Sequence, residues 1–447
     1  MKRFKLEKSQ EEFYTSHSGL ALLGPCINKF TSLSQRLLQA SPLKRGIPHA
    51  DVVKSYLGVL GLGKSDFDAV TSKREDKFFK EALAIKEVAP ESTLRQRLDE
   101  HAERFLPVVN YCVTEFLKRS KAVITGLATG HIPLDIDVFT MDNSNTKKEG
   151  ASYTYMGFNG FSPIAAYLGL EGWIMEIEMR HGSQHSQCDF IPYLLRVLHK
   201  ALDLTVAPIL VRLDSAHDAA DTLFALTDAE RTDFIVKWNP RTNGKQSWAN
   251  IAFSKGKITI PRPGKRVAVM SVNQTLSQVQ EDGSTKEITC RRVMRVIERT
   301  IDKKGQPLLI PDIEIEGWWT SLAVSDLKVI ELYEHHGASE QFHSELKTDM
   351  DLERLPSGKF ATNALIMSCA ALTYNMLRFI GQLSLIGEKS PVKHPAQRRR
   401  IRTVMHELMF LASRLIDSGR KLTMRFSRHS GLSYDAFNFA YNYLVYG

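Results

Sequence analysis

Three acidic residues, Asp137, Asp214 and Glu340, have the chemistry of a metal site although they lie far apart along the chain. Three carboxylates at one point repel one another unless cations bind there, and their oxygen ligands favour hard ions such as Mg²⁺ or Mn²⁺. Two such ions about 4 Å apart can activate a water or a 3′-hydroxyl and stabilise the leaving oxygen of a phosphodiester. The alternative is that these acids are turn or cap residues, which are common at strand ends.

The residues around Glu340 follow a helical spacing. Four polar side chains recur at intervals that place them on one stripe of an α-helix: Tyr333, His336, Glu340 and Lys347. This pattern predicts that Glu340 binds metal, while His336 and Lys347 contact the phosphates of a DNA backbone. The alternative is an exposed helix face whose buried side is apolar: Val329, Leu332 and Phe342.

Strands and helices that could bring these acids together follow one another from about residue 130. Three strand-like runs are followed by a helix, a strand, a helix and a strand: 132–141, 162–168, 173–179, 189–204, 208–213, 216–226 and 234–238. A meander followed by crossover helices predicts a mixed α/β sheet with helices on its faces. Ligands of open α/β sheets bind beyond the carboxyl ends of strands, which is the predicted position of Asp214.

The same patterns divide the chain into five predicted regions: a helical 1–125, a first part of the sheet domain at 126–240, an all-β insertion at 241–322, the Glu340 helix and the end of the sheet domain at 323–387, and a basic helical region at 388–447. A capping box of Thr93 and Gln96 predicts the start of a helix in the first region. Arg95 and Arg97 in its first turns suit a recognition helix at DNA, and equally a solvated face.

The charge distribution favours an anionic partner. The chain has 447 residues, a formal net charge of +9 and a pI of about 9.1, which is typical of proteins that bind nucleic acid. Residues 389–428 contain eleven Lys and Arg but two acids. A cluster of arginines in this segment predicts a surface that contacts phosphates: Arg398, Arg399, Arg400 and Arg402. The alternative is a solvated helix face.

Several classes of protein are disfavoured by the composition. The five cysteines are dispersed without a CxxC pair, which argues against a zinc site or a disulfide framework and fits a reducing cytosol. The basic start lacks the apolar core of a signal peptide, and the apolar run 364–387 is interrupted by polar residues, which predicts a buried helix. No GxSxG, P-loop or GxGxxG motif is present.

The run YEHHGASEQFHSELKTDMDLERLPSGKFATN (333–363) resembles the catalytic helix of bacterial insertion-sequence DDE transposases, which carry the signature Tyr-(2)-Arg-(3)-Glu-(6)-Lys. The spacing holds here, with His336 at the position of the Arg. LDIDVFTMD resembles the strand with the first catalytic Asp, assigned to Asp137, although Asp135 lies on the same face. VRLDSAHD resembles the segment with the second, Asp214. EMRHGSQHSQ, GLGKSDFDAV and STLRQRLD also resemble this group, so the resemblance covers most of the chain.

The resemblance implies an RNase H-like catalytic domain that uses two Mg²⁺ ions per site, for which Mn²⁺ can substitute. It implies cleavage at the ends of a mobile DNA element, which its terminal inverted repeats mark, and attack of the freed 3′-hydroxyl on target DNA. It also implies DNA-end binding by region 1–125, a homodimer on paired ends and a location at the nucleoid of a bacterial cytoplasm.

The predicted β insertion raises the question of how the second strand is cut. In relatives with such an insertion, the cut proceeds through a DNA hairpin and an aromatic residue stacks a flipped base. Three tryptophans are candidates for that role: Trp248, Trp318 and Trp319. The alternative for them is packing within the insertion.

Two other functions stay open. A non-transposing RNase H-like nuclease would share the acidic triad without recognising element ends. An inactive, transposase-derived protein would bind DNA without cutting it, and His336 in place of the Arg keeps that possibility alive.

Overall fold

The protein is seen in a computed structural model that describes residues 4–7, 14–241, 244–280, 282–388, 390–419 and 421–447. The N-terminal region is helical, as predicted, and a short strand precedes its α-helices: β1 (Tyr14–Thr15), α1 (Leu20–Phe30), α2 (Leu33–Ala40), α3 (His49–Gly61), α4 (Lys77–Leu83) and α5 (Glu91–Ser120). The apolar sides of these helices pack together and onto the C-terminal half of the chain in one core.

Helix α5 begins at Glu91, directly after Pro90, whose fixed φ suits a helix start. Its buried side carries apolar residues at helical spacing: Leu94, Leu98, Phe105 and Val109. No side chain caps its first turn, so the predicted capping box of Thr93 and Gln96 is wrong. The helix starts earlier than the box requires, because Pro90 already fixes the backbone before it.

A pair of histidines joins α3 to α5. The ring of His49 lies 4.6 Å from that of His101 and 5.0 Å from that of Phe105. Burial, together with the nearby charges of His101 and Arg97, lowers the pKa of His49 to about 4. The folded protein therefore holds the imidazole of His49 in its neutral form.

We expect the protein to lose stability as the pH falls from 6.5 towards 4. The unfolded imidazole of His49 accepts a proton near its ordinary pKa of 6.5, whereas the folded one resists protonation until about pH 4. Above the unfolded pKa of 6.5, the neutral His49 costs the folded protein nothing. Near pH 4.5, about 2 kcal/mol of the free energy of unfolding is lost. Urea unfolding at neutral and acidic pH measures this loss, which His49→Gln should reduce. An undiminished loss in that variant would contradict the assignment.

The middle of the chain forms strands, with helices between some of them: β2 (Ile132–Val138), β3 (Met141–Asp142), β4 (Ser152–Tyr153), β5 (Asn159–Phe161), β6 (Ile164–Leu168), β7 (Trp173–Glu178), α6 (Phe190–Leu204), β8 (Ile209–Leu213), α7 (Ala220–Asp228), β9 (Thr232–Trp238), α8 (Lys245–Lys255), β10 (Lys257–Arg262), β11 (Lys265–Val279), β12 (Thr285–Ile301) and β13 (Pro307–Thr320). Among the described residues, the central sheet has the order β10-β11-β12-β13-β9-β8-β2-β6-β7.

The inner strands of this sheet have the RNase H-like arrangement. β2, β6 and β7 form an antiparallel meander, while β8 and β9 run parallel to β2 on its other side. Helices α6 and α7 make the crossover connections that parallel strands require. The predicted mixed sheet and its order of strands and helices are therefore confirmed.

The predicted all-β insertion differs from the structure in two ways. It begins with a helix, α8, whose Ala249 and Ala252 pack against β11, β12 and β13. Its strands also continue the central sheet, because Gly317–Thr320 of β13 pair with Ile235–Trp238 of β9. We call residues 245–320 the β extension. Its sheet lies between α8 on one face and the next helix of the chain on the other.

The last part of the chain holds the remaining elements: α9 (Asp326–Glu334), α10 (Ala338–Ser344), α11 (Phe360–Ser384), α12 (Ile401–Val404), β14 (Ser413–Ser418), β15 (Lys421–Phe426) and α13 (Gly431–Tyr446). The predicted Glu340 helix is not continuous, because a 3₁₀ turn at 335–337 separates α9 from α10 and a π turn at 345–349 follows α10. Helix α11 is long and apolar enough to span a membrane, but its apolar stretch is fully buried within the protein, as predicted.

The C-terminal region was predicted to be helical, but the structure also contains strands there. β14 and β15 form an antiparallel hairpin, and β1 pairs with β14, so the two ends of the chain share a small sheet. Along β14 the buried Ser413 and Leu415 alternate with the exposed Arg414. This alternation covers too few residues to indicate a strand in a segment with so many arginines.

Candidate active site

Asp137 and Asp214 meet at the carboxyl ends of two neighbouring parallel strands. Ile136 of β2 lies opposite Leu213, the last residue of β8. Asp137 follows Ile136 within β2, and Asp214 directly follows β8. The Asp214 carboxylate accepts a hydrogen bond from the backbone N–H of Ala216 at 3.1 Å, which holds it at the start of a 3₁₀ turn. The parallel pairing thus places two carboxylates side by side at one edge of the sheet.

The surroundings of this acidic pair favour a cation. Burial, together with the charge of Asp214, raises the pKa of Asp137 to about 6, against the effect of His336. Burial also raises the pKa of Asp214. Both carboxylates are therefore harder to ionise than usual, and a bound cation would relieve the desolvation and repulsion that cause this.

Asp135 has a different environment from Asp137 although it lies on the same strand face. Its two carboxylate oxygens accept hydrogen bonds from Nε and Nη2 of Arg212 at 2.6 and 2.7 Å. Nη1 of Arg212 donates to the backbone oxygen of Leu332 at 2.7 Å, which ties β8 to α9. Both members of this ion pair are buried, so Asp135 supports the fold, and Asp137 is the acid that lines the cleft.

The phosphate contact of His336 stays a prediction, but the structure gives its ring a partner inside the protein. His336 is 7% exposed, and its Nδ1 lies 3.1 Å from the carboxylate of Asp135. Burial alone would lower the pKa of His336, but the carboxylates of Asp135 and Asp137 raise it above its ordinary value. The ring therefore forms an internal ion pair with Asp135, and it also lines the cleft.

Glu340 lines the same cleft as Asp137 and Asp214 and is exposed on α10. No three His, Cys, Asp or Glu side chains in the described ranges lie close enough together to hold one metal ion, so Glu340 is not drawn up to the acidic pair. The cleft has a volume of about 1520 Å³. That exceeds the roughly 300–1,000 Å³ of small-ligand pockets, which suits a polymeric substrate.

The other members of the predicted stripe also line the cleft. Tyr333 is half-buried, with its ring 5.6 Å from that of His336. Lys347 donates from Nζ to the backbone oxygen of Thr140 at 2.8 Å and lies 2.9 Å from a carboxylate oxygen of Glu353. All four members of the predicted stripe thus line the cleft, despite the break at 335–337.

Residues 10–444 match the family model described as the transposase DDE domain, group 1. The chain belongs to this family. Membership implies polynucleotidyl transferase activity and the use of divalent metal ions.

No curated protein matches this transposase chain in sequence. Among solved structures, it is similar to one described as the cryo-EM structure of piggyBac transposase synaptic complex with hairpin DNA. The two chains share 9% sequence identity with a TM-score of 0.38, and the similarity covers 81% of this chain and 74% of that one.

Sequence reasoning missed several residues that line the cleft of the transposase. Lys237, Arg295 and Glu316 come from β9 and the β extension, and Lys237 and Arg295 both lie near the Glu316 carboxylate. His343 stacks on Phe139, with ring centroids 4.4 Å apart, and its Nδ1 lies 3.9 Å from Asp137. No sequence signal marks Lys237, Arg295 and Glu316, because they reach the cleft only through the pairing of β13 with β9. His343 and Phe139 reach it from α10 and from the end of β2.

Three of the four clustered arginines in the basic C-terminal region bind the protein itself. Arg398 donates to Glu345 at 2.7 Å, and Arg400 donates to Asp349 at 2.8 and 3.0 Å. Arg399 is buried and donates to backbone oxygens of the loop before it. The predicted phosphate surface is therefore not available at these three residues, which hold the segment after Glu340. Arg402 is exposed.

We expect Arg398→Ala to destabilise the transposase by about 1–3 kcal/mol, because the fully buried Glu345 would lose one of its charged donors. Urea unfolding measures the change in the free energy of unfolding. Arg402→Ala is the matched control, since the Arg402 side chain makes no hydrogen bond or ion pair within the described part of the chain. Equal effects of the two substitutions would contradict the role given to Arg398.

The predicted base-stacking tryptophans lie inside the β extension. Trp318 and Trp319 are 1% and 4% exposed, so neither presents a free face to a base, and the packing alternative holds for both. The guanidinium of Arg292 lies 4.3 to 4.9 Å from the ring centroids of three tryptophans: Trp238, Trp248 and Trp319. Trp248 is half-buried over that arginine. These cation–π contacts join α8 to β9, β12 and β13.

Arg95 and Arg97 lie on α5 and are not among the residues that line the cleft. Arg95 is exposed and pairs with Glu91 at 2.9 Å, while Arg97 is half-buried. A DNA contact by these two residues stays a prediction.

Proposed function

We propose that this protein is an insertion-sequence transposase of the Tyr-Arg-Glu-Lys signature group, with His336 in place of the Arg. It would cleave DNA at the terminal inverted repeats of the element and join the freed 3′-hydroxyl to target DNA. The observation that carries the proposal is the pair Asp137 and Asp214 at the edge of an RNase H-like sheet, facing a large cleft. Family membership supports the reaction class.

The acidic residues present fit a divalent metal. Asp137 and Asp214, with their raised pKa values, would hold Mg²⁺, and Glu340 would complete the set from across the cleft. We propose two ions per site, with Mn²⁺ as a substitute. Bound ions of this kind activate a water or a 3′-hydroxyl and stabilise the leaving oxygen.

The remaining side chains of the cleft would position DNA and the acids. Lys237, Arg295 and Lys347 line the cleft, where each pairs with a carboxylate of Glu316, Glu334 or Glu353. To bind DNA, they would exchange these carboxylates for backbone phosphates. The buried pair of Asp135 and Arg212 fixes β2 and β8 against each other and against α9. It thereby holds the strand ends that carry Asp137 and Asp214.

Cutting both ends of an element together requires two active sites, so we propose a homodimer, or a larger assembly, on paired ends. We also propose that region 1–125 binds the ends and that the protein acts at the nucleoid of a bacterial cell. For the hairpin route we propose Trp248 as the base-stacking residue, because Trp318 and Trp319 are buried. Strand-cleavage products without a hairpin would remove that route.

Cleavage of a duplex that carries the DNA flanking this gene tests the proposal. With Mg²⁺, we expect the wild-type protein to cut at the element boundary and Glu340→Gln to cut at least about a hundredfold more slowly, because a metal ligand is lost. Glu334→Gln is the matched control, since Glu334 lines the same cleft and pairs with Arg295. Binding without any cut would favour the inactive descendant, and cuts unrelated to the boundary would favour a plain nuclease.

A further inference from the structure

The first part of the β extension, together with the residues just before it, carries cations without acids. Residues 241–280 include seven Lys and Arg and no Asp or Glu, in a chain whose formal net charge is +9: Arg241, Lys245, Lys255, Lys257, Arg262, Lys265 and Arg266. Arg241 lies between β9 and α8, and the other six lie on α8, on the edge strand β10 and at the start of β11. An excess of this size on one edge attracts a polyanion.

The cations on the edge strand are not neutralised by neighbours. Within the described ranges, Lys257, Arg262 and Lys265 have no carboxylate partner, whereas Arg266 pairs with Glu298 at 2.8 Å. Arg262 lies directly opposite Lys265 across the turn between β10 and β11. Like charges placed opposite each other destabilise a strand pair unless an anion lies between them. The C-terminal arginines differ, because Arg398 and Arg400 are already paired within the protein.

These three cations lie on the same face of the sheet as the cleft. Four residues stand opposite one another across neighbouring strands, from the edge inwards: Lys257 on β10, Val269 on β11, Arg295 on β12 and Glu316 on β13. Residues directly opposite one another in antiparallel strands point to the same face. Arg295 and Glu316 line the cleft, and three strand spacings of about 4.8 Å place Lys257 roughly 14 Å beyond Glu316. Lys265 points to the same face as Val269, because an even number of positions separates them along β11. Arg262 is opposite Lys265 and therefore shares that face.

We propose that Lys257, Arg262 and Lys265 form a phosphate-binding edge for duplex DNA that continues outward from the cleft. This rests on the proposed function, which places DNA in the cleft. An added polypeptide strand fits this edge poorly, because Pro261 lies within β10 and Pro263 follows it, and because charged residues at an edge oppose strand addition. The edge adds affinity without reading bases, since phosphate contacts carry no sequence information.

Salt-dependent DNA binding by the full chain tests this edge. The variant Lys257→Gln/Arg262→Gln/Lys265→Gln is compared with Lys118→Gln/Lys286→Gln/Lys328→Gln, which removes the same charge from lysines that already pair with Asp203, Asp228 and Glu331. Fluorescence anisotropy is recorded in EDTA, which prevents cutting, on a duplex that fills only the cleft and on a longer one. Each lost phosphate contact lowers the slope of log affinity against log salt by about 0.9.

We expect the edge variant to lose about 2–3 units of that slope on the long duplex and at least about tenfold in affinity near 0.1 M salt, but nothing on the short one. The control should keep the wild-type slope. An unchanged slope in the edge variant, or an equal loss in the control, would contradict phosphate binding by this edge. If wild-type protein cuts DNA while the edge variant keeps the wild-type slope, the phosphate-binding edge is wrong and the proposed function is kept. If the slope falls in the edge variant but wild-type protein cuts no DNA, the phosphate-binding edge is kept and the proposed function is wrong.

Discussion

Asp137→Asn and Asp214→Asn will each slow Mg²⁺-dependent DNA cleavage by at least about a thousandfold, which corresponds to about 4 kcal/mol of transition-state stabilisation. Both carboxylates lie at the carboxyl ends of paired parallel strands, and burial raises both of their pKa values. An amide of the same shape cannot supply the charge that holds a divalent cation. Initial rates on an element-end duplex measure the effect.

DNA binding separates this effect from unfolding. Both variants should bind the duplex at least as tightly as the wild type, because each loses a negative charge that repels phosphate. Asp221→Asn is the control, since Asp221 is exposed on α7 and does not line the cleft. Cleavage that survives in either cleft variant, or that falls equally in Asp221→Asn, would contradict the assignment of the pair.

Asp135→Ala will act on stability and should cost about 3–5 kcal/mol of the free energy of unfolding. The substitution leaves Arg212, which is 2% exposed, as a buried charge whose main partner is gone. His336 loses its partner as well, because its Nδ1 faces the same carboxylate. Urea denaturation of purified protein measures the cost.

A double variant shows whether the cost comes from the unpaired charge. Replacing a whole buried ion pair by apolar side chains is often close to neutral, so Asp135→Leu/Arg212→Leu should be less destabilised than Asp135→Ala. A cost below about 1 kcal/mol for the single variant would show that the pair is not buried in solution. The structure thus replaces the expectation from strand alternation, under which Asp135 was merely the alternative to Asp137.

The sequence was a good guide where periodicity alone decides the element. Strand and helix periods predicted β2, β6, β7, α6, β8, α7 and β9 in their observed order, but not the short strands β3, β4 and β5. The apolar run ending in Leu213 also placed Asp214 at a strand end. It could not separate Asp135 from Asp137, because residues two apart share a strand face. The difference depends on Arg212, which reaches Asp135 only through the pairing of β2 with β8.

Charge patterns were a weaker guide, since a charged residue does not reveal its partner. The clustered arginines suggested a free surface, yet Arg398 reaches Glu345 and Arg400 reaches Asp349 across a turn of the fold. The tryptophans misled for a related reason, because Trp319 is buried in the main core and its Nε1 donates to Asp218. The predicted helix also breaks at 335–337, where Gly337 lies. The helical spacing on both sides of this glycine concealed the break.

The central claim is that Asp137 and Asp214 hold the metal at which DNA is cut. Anomalous scattering from crystals of the protein with element-end DNA and Mn²⁺ tests it most directly, because the peaks locate the ions themselves. We predict peaks at ligand distance from both carboxylates, with Glu340 turned towards them. Ions bound elsewhere in the cleft, with Asp137 and Asp214 left without contact to metal, would contradict the claim.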